Sequence, residues 1–438
     1  MLKNYLKAGF GGASSQLIHL IGIPVISRLY SPDVYATWAI IIATSSIFGS
    51  IACFRYELAV VIPKSETKAS YIFWLCILSS FGVGIFAILL MSTNLFLSSN
   101  PESYVNNFVT LKVLISTLII SMGVTYALQY WNVRQRAFML NSLGLIALSF
   151  VTLSTQILYA ITIEASFDGL VLGSLVGQLS IILLYLLGLF YIKSPELIKF
   201  NYNDFVKIAK EHHRFLIYST PYTLFGVLRA RGVVLILEMF LYKRFVGLFA
   251  FAYRIMNFPV SLVSGAIRPV LFKESAQKGV ESIEQRVNQL LILLSFCGIP
   301  FVVGYFYYAE EIFLVLFGEK WAGSGEIGKF IILPAFTFVM CNWMDRIMDV
   351  LKQQRLTLIL EVTFASTSIF SLWIGFVLSQ NLYVALGMQC AILVLYNICY
   401  LTFVYKIAGY QQRFLGKLFI ANVFFAILII FCIESIIK

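Results

Sequence analysis

Apolar runs of about 20 residues recur along almost the whole chain, the length that carries a helix across a bilayer's hydrocarbon core. The first six lie at approximately 8 to 29, 36 to 61, 70 to 93, 109 to 131, 140 to 163 and 169 to 192. Six more follow at 214 to 240, 246 to 270, 288 to 309, 328 to 350, 357 to 379 and 382 to 405, and a last at 415 to 436. Strands of a membrane barrel would need only about 10 residues each and would alternate in polarity. The pattern therefore predicts an all-α polytopic membrane protein with 12 core transmembrane helices and a thirteenth behind them. A soluble globular chain is excluded, since only 12% of the 438 residues are charged, against roughly a quarter in ordinary soluble domains. Lys3 and Lys7 precede the first run as in a secretory leader. That run is too long for one and has no small-residue cleavage site, so it is expected to persist as the first helix.

The net charge of +11 does not point to nucleic acid, because the 32 Lys and Arg form no continuous basic face and sit in short gaps between apolar runs. With the N-terminus on the cytoplasmic side, 19 of the 32 fall in inner connections and seven in outer ones. This asymmetry predicts a multi-pass membrane protein with a cytoplasmic N-terminus. The seven cysteines lie in or beside apolar runs, with neither a C-x-x-C pair nor a His-rich partner segment. No disulfide framework, metal site or cofactor is expected.

The connection 193–213 holds Lys193, Lys199, Lys207 and Lys210 with Glu196, Asp204, Glu211, His212 and His213. It reads as a cytoplasmic linker between an N-terminal six-helix lobe, 1–192, and a C-terminal six-helix lobe, 214–405, followed by an extension, 406–438, that carries the thirteenth run. A short echo accompanies the division: Leu29-Tyr30 with Val34 recurs as Leu241-Tyr242 with Val246, and Arg55 has a near counterpart in Arg268. Two same-direction halves are one of the plans transporters use.

Ionisable residues within spans cost about 2.5 to 3.5 kcal/mol each on insertion scales. The cations are Arg55, Arg229, Arg231, Arg254, Arg268 and Arg346; the anions are Glu57, Glu238, Asp345, Asp349 and Glu361. Arg229, Arg231 and Arg254 fall near mid-span, and most of the others toward the cytoplasmic ends, where snorkelling or local pairing accounts for them. Arg231 and Glu238, seven residues apart, share a helix face, while Arg229 points about 200° away from Arg231. Three mid-membrane guanidiniums against one carboxylate favour an anionic ligand, and a guanidinium offers phosphate a planar fork of donors at any pH. The competing reading is that these arginines pair with carbonyls and carboxylates and hold helices together. Asp345 and Asp349, one turn apart, suit a coupling site for a proton or cation, as do Glu57 and Glu238, or else flank Arg346 as an inner-surface cluster. Pro24, Pro221, Pro259, Pro300 and Pro334 mark bending points within spans.

The run GSGEIGK at 323–329 has phosphate-loop spacing, but Phe330 replaces the required Ser or Thr and no strand precedes it. The outer connection 310–327 begins as a short amphipathic run and turns through Gly318, Gly323 and Gly325, which suits a lateral helix, an external lid or an interfacial packing element.

The segment IPVISRLYSPDVYATWAII at 23–41 and RYELAVVIPKSETKAS at 55–70 resemble the polysaccharide biosynthesis membrane proteins that include the Wzx-type O-antigen flippases. These belong to the multidrug, oligosaccharidyl-lipid and polysaccharide flippase superfamily. VGLFAFAYRIMNFPVSLVSGAIRPVLF at 246–272 and FGEKWAGSGEIGKFIILPAF at 317–336 extend the likeness. The resemblance implies a MATE-like transporter, two six-helix lobes around a central cavity that opens alternately to either side. Its implied cargo is a polyprenyl-diphosphate-linked oligosaccharide, an O-antigen or capsule repeat unit, moved from the cytoplasmic to the periplasmic leaflet. Arg55, Arg229, Arg231, Arg254 and Arg268 are the cations it would set against diphosphate and acidic sugar. The implied partners are the lipid-linked substrate, the bilayer, and a polysaccharide polymerase with its chain-length regulator. The thirteenth run departs from the family's usual twelve. Two other classes compete: an ion-coupled multidrug or cation antiporter of the same superfamily, which needs carboxylates at mid-depth, and a polytopic glycan polymerase or ligase, which needs a substantial outer catalytic loop.

Overall fold

The computed structural model describes residues 2–92, 108–196, 202–240 and 242–437. Lys199 and Lys438 of the charge count and Leu241 of the internal echo lie outside the described residues. Among the described residues every regular element is a helix, and the chain forms two compact units, Met1–Gly247 and Leu248–Lys438.

The first unit contains α1 (Leu2–Leu29), α2 (Pro32–Gly49), α3 (Glu66–Ser92), α4 (Phe108–Arg134), α5 (Phe138–Thr162), α6 (Phe167–Gly188), α7 (Tyr202–Glu211) and α8 (Thr220–Met239). Pro32 occupies the first turn of α2, and the Ser31 hydroxyl accepts from the Val34 amide, a start that suits both residue types. α5 lies against α1 and α6, and α2 against α8. The close α5–α6 approach follows from the run GLVLGSLVG, which stacks Gly169, Gly173 and Gly177 on one face of α6. A Cβ at these three positions would meet Tyr159, Gln156 and Thr152 of α5. In lipid no hydrophobic drive joins helices, so small residues that allow close packing, with polar side chains as ties, hold them together. Gln156 supplies such a tie: its Nε2 donates to Leu170 O at 3.0 Å while its backbone carbonyl accepts from Tyr30 OH at 2.7 Å.

The apolar run at 36–61 predicts one helix, but α2 ends at Gly49. The chain turns through Phe54 (φ 46°) and Arg55 (φ 61°), both left-handed, and resumes as a 3₁₀ helix over Tyr56–Val61. Hydropathy reads straight through this break because Cys53, Tyr56, Ala59 and Val60 remain in the core of the unit. Apolarity records burial and not backbone conformation.

The second unit contains most of α9 (Lys243–Lys278), then α10 (Glu284–Phe317), α11 (Ala322–Cys341), α12 (Asp345–Val350), α13 (Gln354–Ser379), α14 (Leu382–Ile407) and α15 (Gln412–Ile437). α11 packs against α10 and α14, with Tyr305 OH donating to Gly325 O at 3.1 Å and Asn397 Nδ2 to Thr337 Oγ1 at 3.0 Å. The run at 328–350 is also broken: α11 stops at Cys341 and a 3₁₀ turn, Asn342–Met344, leads into α12. Trp343 and Met344 in that turn are fully buried, so hydropathy again conceals the break. α10 kinks at Tyr308 (φ −116°, ψ 18°), eight residues beyond Pro300. The segment expected as a lateral helix or lid closes up, since residues to Phe317 finish α10, Gly318 turns the chain at φ 92°, and α11 begins at Ala322. GSGEIGK is helical, in the first turns of α11.

Ten helices among the described residues are long and apolar enough to cross a membrane, including the thirteenth run as Gln412–Ser435. α1, α2 and α8 fall outside that set. α2 is cut short at Gly49, and α8 carries Arg229, Arg231 and Glu238 within 20 residues.

Candidate functional site

The sequence FAYRIMNFPVSLVSGAIRP sets Arg254, Asn257, Ser261, Ser264 and Arg268 at successive steps of three or four, so the five share one face of α9. Arg254 and Arg268 are about 21 Å apart along the axis at 1.5 Å per residue. Between them a cleft of about 510 Å³ is lined by Asn257, Val260, Ser261, Ser264, Gly265, Arg268 and Asn342. Apart from Val260 and Gly265 its walls are amides, hydroxyls and one guanidinium. The break after α11 supplies the far wall: Ser264 Oγ donates to Asn342 Oδ1 at 2.8 Å, and Arg268 Nη2 donates to Asn342 O at 3.0 Å.

Arg268 also holds Asp345, the first residue of α12, with Nη2 to Oδ2 at 2.9 Å. Arg346 continues the chain of charges, Nε lying 3.8 Å from Asp345 Oδ1 and Nη1 2.8 Å from Asp349 Oδ2. Two cations and two anions thus form one cluster beside the cleft. It is incompletely satisfied, because Arg268 Nε and Asp345 Oδ1 are both buried without a hydrogen-bond partner. Most buried polar atoms in folded proteins have partners, so an unpaired donor and acceptor within one ion pair calls for a cause.

In the first unit Arg55 pairs with Glu57 at 3.0 Å. The left-handed turn at Phe54 and Arg55 brings the two side chains together, and Glu57 is 1% exposed. On α8, Arg229 is half-buried and Arg231 exposed, as expected of residues 200° apart, while Glu238 is half-buried. Arg231 and Glu238 share a face, yet seven residues put them about 10.5 Å apart along the axis. Arg254 is half-buried on α9. Of the nine residues singled out from the sequence, the structure joins Arg268, Asp345 and Asp349 in one cluster and Arg55 and Glu57 in another.

Asn257, Ser261, Ser264 and Asn342 are missed by a reading that follows only charge. The three on α9 carry a visible signal, neutral polar residues in the register of two arginines on one helical face. Asn342 carries none, since only the fold of α11 brings it to α9. Asn257 Nδ2 donates to Tyr253 O at 2.9 Å and Ser261 Oγ to Phe258 O at 2.8 Å, so the side-chain oxygens of the stripe are its acceptors, with a cation near each end and every carboxylate of the adjoining cluster already held by arginine. Such a surface suits an anionic group extended by hydroxyls. Among the described residues no His, Cys, Asp or Glu grouping could hold a metal ion.

The family model of polysaccharide biosynthesis proteins matches residues 25–326. Among curated proteins none matches the sequence. Solved structures share the fold. The lipid II flippase MurJ in an inward closed conformation aligns with a TM-score of 0.67 at 15% identity, covering 100% of this chain and 99% of its own. The MATE multidrug transporter DinF-BH aligns at 0.63 with 15% identity over 93% and 96% of the two chains. A mutant of the Vibrio cholerae MATE transporter VcmN aligns at 0.61 with 13% identity over 94% and 97%.

Proposed function

This chain belongs to the polysaccharide biosynthesis protein family, and from that membership we propose that it flips a polyprenyl-diphosphate-linked oligosaccharide across the bilayer. The cargo is an O-antigen or capsule repeat unit, carried from the cytoplasmic to the periplasmic leaflet of the bacterial inner membrane, with the N-terminus cytoplasmic. A polysaccharide polymerase and its chain-length regulator are the proteins that would receive it. Carrying a diphosphate and several sugars through hydrocarbon unassisted is prohibitive, so a continuous polar surface is the catalyst the process needs.

The observation that carries this reading is the α9 stripe, with Arg254 and Arg268 at its ends and Asn257, Ser261 and Ser264 between them. An arginine meets the diphosphate through its donor fork, and the amide and hydroxyls meet sugar hydroxyls, while the lipid tail stays in the bilayer. Arg229 and Arg231 on α8 are further cations for an acidic headgroup. The six-helix lobes, 1–192 and 214–405, expose the site alternately to the two sides, and the role is transport without bond chemistry. An antiporter of organic cations would instead present carboxylates free for a cation. Here Glu57, Asp345 and Asp349 are each held by an arginine.

The test is a proteoliposome assay in which a fluorescent polyprenyl-diphosphate oligosaccharide is quenched as it reaches the outer leaflet. The expected result is protein-dependent flipping that falls sharply in Arg254→Ala and Arg268→Ala. Flipping that both variants leave unchanged, or transport of a cationic dye in place of the glycolipid, would overturn the proposal.

A further inference from the structure

Arg268 faces the cleft, yet its charge is already matched. One nitrogen, Nη2, makes both contacts, to Asp345 Oδ2 at 2.9 Å and to Asn342 O at 3.0 Å. Its Nε, on the same edge of the fork, is buried without a hydrogen-bond partner, and Asp345 Oδ1 has only the long 3.8 Å approach of Arg346 Nε. A carboxylate well seated on arginine uses two parallel hydrogen bonds. This one uses a single nitrogen, and the second donor beside it is spare. The pair is a resting arrangement with room for a better ligand, an anion presenting two oxygens to Nε and Nη2 together.

The charges around Asp345 determine its protonation once such an anion arrives. The ionisable groups that face it are Arg268 from α9 and Arg346 and Asp349 from α12. The four together are neutral. Once a phosphate takes Arg268, the remaining three carry one net negative charge. Arg346 is already counted in that sum, and it sits closer to Asp349, at 2.8 Å, than to Asp345, at 3.8 Å. An uncompensated carboxylate in a largely buried setting protonates in preference to staying charged.

We propose that Asp345 is a displaceable counter-ion of Arg268: a diphosphate headgroup entering the α9 cleft takes the guanidinium, and the released carboxylate takes up one proton from water. The proton adds to Asp345, the ion pair opens, and the phosphate oxygens accept from Nε and Nη2. On release of the headgroup the proton leaves and the pair re-forms. Loading and unloading on opposite sides of the membrane would then carry one proton with each substrate. This rests on the reading that the cleft takes the diphosphate of a lipid-linked sugar.

The experiment uses the full chain in nanodiscs titrated calorimetrically with geranylgeranyl diphosphate between pH 7 and 8, in buffers of different ionisation enthalpy. The wild type should take up close to one proton per ligand, its affinity falling about tenfold per pH unit, the slope of one linked proton. Asp345→Asn, which keeps the shape and removes the charge, should bind at least about tenfold more tightly at pH 8 with no proton uptake and no pH slope. Arg268→Gln should lose most of the binding. A wild type that binds the diphosphate with no proton uptake overturns the exchange and leaves the flippase reading standing. So does Asp345→Asn with proton uptake intact. Should the wild type bind no diphosphate, both fall. The wild-type buffer dependence decides the matter even if neither variant folds, and sodium varied at fixed pH shows whether a metal cation replaces the proton, which would equally overturn it.

Discussion

Arg55 and Arg268 hold a carboxylate at nearly the same distance, 3.0 and 2.9 Å, and each keeps a buried Nε without a hydrogen-bond partner. The two pairs are nevertheless built differently. Arg55 and Glu57 are two residues apart in a turn whose left-handed backbone sets their geometry, and the Glu57 side chain is 2% exposed. Arg268 and Asp345 come from α9 and from the start of α12, with the Arg268 side chain 36% exposed beside the cleft against 26% for Arg55, and Asp345 15% exposed against 2% for Glu57. A buried ion pair brings little net stability because desolvation offsets attraction, but removing one partner strands the other. The closed pair in the first unit is therefore a fixed part of its fold. The open pair can change partners at little structural cost, which is what a binding site requires.

The largest effect that separates them is on stability. Glu57→Ala should lower stability by about 3 to 5 kcal/mol, as expected when a buried pair loses one member, read as a depressed thermal unfolding midpoint in detergent. Asp345→Ala should cost clearly less, because water in the cleft can rehydrate Arg268. Equal losses at the two sites would erase the distinction. Next in size is transport: Arg268→Ala should reduce glycolipid flipping about 100-fold, the scale of losing one charged, hydrogen-bonded partner, with a smaller drop in unfolding midpoint than Glu57→Ala because the stranded Asp345 can protonate.

A smaller effect isolates the backbone. Glycine and alanine remove the guanidinium equally, so their difference reports conformation alone. At position 55, where φ is 61°, Arg55→Gly should be more stable than Arg55→Ala by about 1 kcal/mol. At position 268, inside α9, the order should reverse by a similar amount, about 1 kcal/mol. The same order at both positions in thermal unfolding would refute the left-handed turn as the basis of the first pair. The smallest effect is Asp349→Asn. Arg346 and Asp349 are 40% and 38% exposed, so losing that pair should change stability by less than about 1 kcal/mol.

The helices are legible in the sequence because each must be apolar for about 20 residues to lie in lipid. The breaks at Gly49 and Cys341 are not, because Cys53, Tyr56, Ala59 and Val60 at the one and Trp343 and Met344 at the other are as buried and apolar in a turn as they would be in a helix. Those two breaks shape both ion pairs, one by turning the chain at Arg55 and the other by starting α12 at Asp345. The Arg346–Asp349 contact could be read from its spacing, and so could the glycine stripe Gly169, Gly173 and Gly177, which a search for charge passes over. The joining of Arg268 to Asp345 could not, since no local pattern links α9 to α12. Charge alone ranks Arg55 with Arg268, and only burial and backbone tell them apart.

The most direct measurement is photo-crosslinking with a polyprenyl-diphosphate sugar carrying a diazirine on its first sugar, followed by mass-spectrometric mapping on the full chain in proteoliposomes. Adducts should concentrate on the α9 face at Asn257, Ser261 and Ser264, and be absent around Phe54 to Glu57. Adducts clustered at the Arg55 turn, with α9 unlabelled, would contradict the assignment of the headgroup to the second unit's cleft.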